Sequence, residues 1–324
     1  MDSRNRYRAS STIQGVNTLQ DICRDINIRG VVRYNEPMAS HTTFHVGGPA
    51  DVYLRPADTD DLVDAYRFIR SRSLPSFVIG GGANMVVADA GIRAVVIDMS
   101  DINHIRFNDS HMVLGAGLPI SDGAAAAAEQ GLAGLDFLYS MPGSTGGAVW
   151  MNARCYGSSL SDVLVRVDYM DENLSRKTLD PTDYVFEYKN TPFQHNNWLI
   201  LECELVLHRE DPAEIRRRMQ LYYTDRESKG HFRWPCAGSL FKNNRDFGAP
   251  TGQLLDRLGM RGTRVGGACV SPLHANIVIN DQNASAADIH ELACLMERRT
   301  RDELGYELER EVLFVGDWEG TFGG

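Results

Sequence analysis

The stretch Phe77-Val78-Ile79-Gly80-Gly81-Gly82-Ala83-Asn84-Met85-Val86-Val87 sets three consecutive glycines between two short apolar runs. No other stretch constrains the fold as much. Glycine lacks a Cβ, so the backbone can turn through positive φ and bring its N–H groups against another group. Two readings follow: a loop that binds an anion, most often a phosphate, and a tight strand-to-strand turn. The dinucleotide fingerprint is excluded, because it requires a helix after the loop and Met85-Val86-Val87 continues as a strand. A nucleotide held here sits on a different scaffold.

At 324 residues, 43% of them apolar, the chain is long enough for two or three domains with their own cores. No run reaches transmembrane length. Residues 1–14 are polar, with Arg4, Arg6 and Arg8 but no apolar run behind them, and read as a frayed extension rather than a signal or anchor. A cytoplasmic location without membrane insertion is expected. The net charge of −10 argues against nucleic acid as the main partner, so the ligand is expected to be small, and no obligate protein partner is inferred. Cys23, Cys155, Cys203, Cys236, Cys269 and Cys294 form no CxxC pair, the pattern of buried free thiols in a reducing compartment. The nine histidines show no HxH or HxxxH spacing, and no metal site is expected.

In chain order, a short helix is expected over 19–26 and a strand over 51–55. Asp58 or Thr59 caps a helix with Leu62, Tyr66 and Ile69 on one face. Strands follow at 94–99 and 112–116, then an alanine-rich helix over 123–130. Pro142-Gly143 and Gly146-Gly147 precede a further helix, whose N-terminus is expected to present free N–H groups as a second anion site. Strands at 163–170 and 198–208 lead to a boundary at 209–212 and a helix over 213–228 capped by Asp211. The last domain holds a helix around 251–258, a strand at 276–279 and a helix through Leu304 with a Ser285/Asp288 capping box. A strand over 306–315 closes it.

Two residues stand out chemically. Ser239 follows a glycine and precedes Leu240 and Phe241; it reads as a proton-passing hydroxyl or as a turn, because no nucleophile elbow or histidine partner is signalled. On the expected strand, Glu307, Glu309 and Glu311 share a face with Leu313 and Val315, so Glu311 lies where the strand enters the core. A carboxylate there needs a partner, which makes it a site candidate; the other reading is a strand-end charge reaching solvent or an arginine.

Several motifs then fall in one order. Asn35-Glu36-Pro37, Thr43 to Ala50, Gly80 to Asn84, Pro142-Gly143 with Gly146-Gly147, and Met151-Asn152-Ala153 resemble the flavin-binding half of the UDP-N-acetylenolpyruvoylglucosamine reductases. Gly238 to Asn243, Gly266-Gly267-Ala268, His274-Ala275-Asn276 and Leu308 to Val312 resemble that family's substrate domain. The absence of a long insertion between Tyr184 and Trp198 resembles the shorter of its two forms.

The resemblance implies an α+β protein: a two-subdomain FAD-binding unit of the vanillyl-alcohol-oxidase (PCMH-type) flavoprotein fold plus a C-terminal α+β substrate domain. The implied division is an extension over 1–33, FAD-binding subdomains over 34–100 and 101–210, a substrate domain over 211–318 and a tail over 319–324. It implies non-covalent FAD near Gly47, Gly80, Gly81, Gly82, Ala83, Asn84, Pro142, Gly143, Gly146, Gly147 and Asn152. NADPH is the implied co-substrate and a nucleotide sugar the implied substrate, met by Tyr188, Lys229 and Asn243. Ser239 matches the family's proton donor and Glu311 its assisting carboxyl group. Tyr188-Lys189 stands where the family has a tyrosine-arginine pair, which keeps the charge but loses the planar fork. A flavin oxidase of the same fold and a non-catalytic flavin-binding module are the alternatives.

Overall fold

The computed structural model describes residues 18–322, so the extension expected over 1–14 lies outside the described residues. The first unit runs α1 (Leu19–Cys23), β1 (Val31–Pro37), β2 (Pro49–Arg55), α2 (Thr59–Ser71), β3 (Ser76–Ile79), β4 (Met85–Val87) and β5 (Ile92–Asp98). Four of its strands form a sheet in the order β1-β2-β5-β3, with β1 antiparallel to β2 and the other pairs parallel. Asp58 caps α2 through Asp61 N–H, and Leu62, Ala65, Tyr66 and Ile69 bury the expected face. The helix α1 is shorter than expected, yet Cys23 on it is fully buried in the same core, so residues 18–33 are packed against the first unit.

The second unit contains β6 (Ile105–Asn108), β7 (His111–Gly115), α3 (Ile120–Glu129), β8 (Leu132–Ala133), α4 (Thr145–Trp150), β9 (Arg154–Cys155), β10 (Ser158–Ser159), β11 (Leu164–Met170), β12 (Arg176–Leu179), β13 (Leu199–Val206) and β14 (His208–Arg209). Its antiparallel sheet has the order β12-β11-β13-β7-β6. One continuous core joins it to the first unit: Val52, Leu62 and Ile97 pack in the same cluster as Leu114, Val167 and Leu201.

The third unit comprises α5 (Pro212–Ser228), α6 (Thr251–Arg257), β15 (Arg264–Val265), β16 (Ala268–Val270), β17 (Val278–Asn280), α7 (Ala286–Leu304), β18 (Leu313–Val315) and α8 (Trp318–Phe322). It is fastened to the first unit in two ways. Phe44, Val46 and Val86 are buried in its core, and β18 pairs in parallel with β4, Leu313 opposite Met85 and Val315 opposite Val87. The strand after the glycine loop thus finds its neighbour at the far end of the chain.

The strand expected over 306–315 is corrected: only Leu313–Val315 is a strand. The segment before it bonds to a different neighbour, with Lys242 N–H donating to the Glu309 carbonyl and Glu311 N–H to the Leu240 carbonyl, both at 2.8 Å. A ladder that changes partner at Val312 cannot stay one regular strand. The three glutamates separate accordingly: Glu307 pairs with Arg301, Glu309 with Lys242 and Glu311 with Lys189. The cysteines are all free, but Cys155 and Cys294 are half-buried rather than buried. The described helices include none long and apolar enough to cross a membrane.

Candidate active site

The glycine triplet lies against the second glycine loop. A Cβ on Gly80 would stand 2.0 Å from Ser144 Oγ, one on Gly81 2.8 Å from Gly143 Cα, and one on Gly82 2.0 Å from the His41 carbonyl oxygen. Gly82 also takes φ +57. Gly81 and Gly82 are therefore required first by backbone meeting backbone, and Gly80 by the Ser144 side chain. Among the described residues, the N–H groups of Gly81, Gly82, Ala83 and Asn84 donate to no protein acceptor. Gly81 is exposed. Unpaired amides on an open glycine turn fit an anionic oxygen group such as a pyrophosphate.

The second anion site does not survive. In α4, Thr145 N–H donates to the Leu118 carbonyl and Gly146 N–H to the Ala116 carbonyl, both at 2.7 Å, while Gly147 N–H donates to Ser144 Oγ. Neighbouring carbonyls and the cap have taken the N–H groups that a ligand would need. Pro142 and Gly143 remain at the junction, Gly143 at φ +111 with Ala83 beside it. Gly47 and Gly146 are explained by packing, since their Cβ atoms would meet Val87 Cβ at 2.7 Å and Ala116 Cβ at 3.0 Å. Asn152 is buried, and its carboxamide is bonded at both ends to backbone groups.

Around this junction the structure gathers residues from three parts of the chain. Lys189 Nζ lies 2.5 Å from Glu311 Oε1, both side chains mostly withdrawn from solvent. Ser239 bridges to Ile277, and its neighbour Leu240 accepts the Glu311 N–H, so the hydroxyl and carboxylate segments run side by side. Asn243 N–H meets Tyr188 OH at 3.4 Å. Burial and the Glu311 charge push the Tyr188 phenol up. Lys229 instead pairs with Asp225 at 2.6 Å, whose other contact is the Tyr156 hydroxyl. Beside it His231 is pulled down to about 4 by burial, with Arg226, His274 and Lys229 adding to the effect.

Three functional connections were not visible in the sequence. Asn84 was expected at the cofactor, but its side-chain Nδ2 also donates to the Glu311 backbone carbonyl at 3.0 Å while its own carbonyl accepts Leu313 N–H, tying the glycine loop to the main chain that carries the carboxylate. Asn276 donates to and accepts from the Phe241 backbone, standing in for a strand beside Ser239. Asp89, directly after β4, accepts the first N–H groups of α7 from Ala286 and Ala287 at 2.8 and 2.9 Å. Only the histidine-alanine-asparagine motif gave any hint of the second; the others depend on segments far apart. Asp89→Ala is expected to remove about 1 kcal/mol of stability as a lost helix cap, read as a lower urea midpoint that Asp89→Asn largely restores.

The fold and site define a class: an α+β protein with an open glycine turn between its first two units and a separate C-terminal unit, of the FAD-binding type. Residues 50–174 match the FAD binding domain family, and residues 230–315 match the family described as UDP-N-acetylenolpyruvoylglucosamine reductase, C-terminal domain. The UDP-N-acetylenolpyruvoylglucosamine reductase of Treponema denticola is 37% identical over 308 residues, covering 89% of this chain and 95% of the relative. That of Caldanaerobacter subterraneus subsp. tengcongensis is 34% identical over 299 residues, covering 92% and 98%. The crystal structure of the Thermus caldophilus enzyme superposes with a TM-score of 0.74 at 29% identity, covering 89% of this chain and all of that one. The chain belongs to the UDP-N-acetylenolpyruvoylglucosamine reductase family.

Proposed function

We infer that the protein reduces the enolpyruvyl group of UDP-N-acetylglucosamine enolpyruvate to give UDP-N-acetylmuramate, with NADPH as reductant, in the cytoplasmic stage of peptidoglycan precursor synthesis, and so serves cell shape and division. The observation that carries this is the meeting of Lys189, Glu311 and the Ser239 segment beside the open glycine loop, in a chain of this family. FAD, when bound, supplies the hydride that it has taken from NADPH to the terminal carbon of the enolpyruvyl group.

The chain's own residues do the rest. Gly80 to Asn84, with Pro142 and Gly143 opposite, hold the pyrophosphate, and Gly47, Gly146 and Gly147 support those loops from behind; the Asn152 amide is turned instead to Ser161 and Glu187. Ser239 gives a proton to the carbon that bears the carboxylate. Glu311 assists that transfer, and Lys189 offsets the negative charge that builds on the conjugated carboxylate. Tyr188, Asn243 and Lys229 hold the nucleotide sugar; Lys229 must exchange Asp225 for the ligand to do so. The working division is FAD-binding subdomains over 34–100 and 101–210 and a substrate domain over 211–318.

A visible flavin spectrum of the purified protein, followed by NADPH oxidation with and without the enolpyruvyl substrate, tests the reading. A colourless protein that FAD does not reconstitute overturns it, and substrate-independent NADPH consumption points to an oxidase. Lys189→Arg is expected to match or exceed the native rate. Lys189→Ala should slow the substrate step by about 10²–10³-fold, the scale for removing one preorganised charge donor. Equal rates for Ala and Lys deny the residue a catalytic part.

A further inference from the structure

Asn152 has neither a charge nor a contact with Glu311, yet its carboxamide bonds directly to the turn that carries Lys189. It is 3% exposed and stands at φ +42, a left-handed backbone that residues other than glycine seldom adopt. Its carboxamide is oriented from both ends: Oδ1 accepts Ser161 N–H at 3.0 Å, which turns Nδ2 toward the Glu187 carbonyl at 3.2 Å. That carbonyl closes a turn, because it also accepts Asn190 N–H at 3.3 Å while the Asn190 carbonyl accepts Glu187 N–H at 2.9 Å. Tyr188 and Lys189 are the residues displayed between them, Lys189 itself at φ +55.

The residues just before Asn152 grip the rest of the same loop. The Trp150 carbonyl accepts from Thr191 Oγ1 at 2.9 Å and Gln194 Nε2 at 2.7 Å, and Trp150 Nε1 donates to the Phe193 carbonyl at 3.1 Å. We propose that Asn152 is a positioning residue for the reaction: it fixes the 187–190 turn and so decides where the Lys189 ammonium stands relative to Glu311 and the substrate carboxylate. The proposal rests on the reading of Lys189 given above. A lysine makes such a brace more necessary than an arginine does, because a point charge on a flexible four-carbon stem lacks the planar fork that aligns itself on a carboxylate. The location of its backbone has to supply the alignment.

Two variants test this in the flavin-loaded enzyme. Asn152→Gly keeps the left-handed backbone and removes the amide. Asn152→Asp keeps an acceptor for Ser161 N–H and sets a carboxylate oxygen against the Glu187 carbonyl. Both are expected to retain flavin and bleach normally with NADPH, while reoxidation by the enolpyruvyl substrate slows on the order of a hundredfold, the scale of a misplaced catalytic group. The double variant Asn152→Gly/Lys189→Ala is expected to be no slower than Lys189→Ala alone. Hydrogen exchange in the 187–190 segment, measured with and without flavin, should be faster in both single variants.

Unchanged exchange, loss of flavin, or equal slowing of both half-reactions overturns the proposal. If Lys189→Ala proves fully active, the catalytic reading of Lys189 fails, and the exchange result still decides whether Asn152 holds the turn. If one variant does not fold, the other carries the test.

Discussion

Ser239→Ala is expected to bind FAD and to be bleached by NADPH at the native rate, yet to pass almost nothing on to the enolpyruvyl substrate. The reason lies in what the serine touches and what it does not. Its backbone bridges to Ile277 and its neighbour Leu240 holds the Glu311 N–H, so the segment is anchored by main-chain bonds that an alanine keeps. Removing one hydroxyl leaves the glycine loop and its free amides untouched. A positioned general acid contributes about 10²–10⁴-fold, and that is the expected loss in reoxidation by substrate, measured by stopped-flow after anaerobic reduction. A variant slowed equally in both half-reactions places the serine in binding instead. Full activity moves the proton transfer to another group, with Glu311 on the adjacent segment as the candidate.

Gly82→Ala should abolish the flavin site and destabilise the fold. The new methyl group would stand 2.0 Å from the His41 carbonyl oxygen and 2.9 Å from Thr42 Cα, so backbone must give way. That backbone has little freedom: Thr43 N–H donates to the Gly82 carbonyl, the His41 ring bonds Glu36 at 2.9 Å, and Tyr53 packs against it at 4.5 Å. Overpacking costs about 1–3 kcal/mol, and the left-handed backbone at φ +57 adds about 1–2 kcal/mol for an alanine. Against a total stability of about 5–15 kcal/mol this is severe. Gly259→Ala is the control: it has φ +66 but nothing within 4 Å, so only the backbone part is lost and flavin stays bound. Urea midpoints and flavin content check the pair, and a Gly82→Ala protein that remains yellow and as stable as Gly259→Ala refutes the account.

Much of the architecture was legible because it is written in local chemistry. Asp58 and the Ser285/Asp288 pair start their helices as the sequence indicates, and Leu62, Tyr66 and Ile69 bury the face that their spacing predicts. The order of the glycine and asparagine motifs pointed to the family, which the relatives then established. Two local inferences failed, both for the same reason. The α4 N-terminus carries the sequence signature of an anion site, but whether its N–H groups are free depends on Leu118 and Ala116, which approach from another element. The residues 306–312 alternate as a strand does, but a strand needs one continuous neighbour, and this segment has two in succession.

The sequence alone determined that the loop at Gly80 to Gly82 is a turn or an anion-binding loop, that a strand rather than a helix follows it, and that Ser239 and Glu311 were the residues to watch. Tertiary structure decided what those glycines press against, which amides stay open, and which cation Glu311 meets. The Asn84 side chain reaches Glu311 across a separation of 227 residues. Periodicity and capping report on neighbours three or four residues away; a site assembled from three distant segments is set by how their cores pack, which no local pattern encodes.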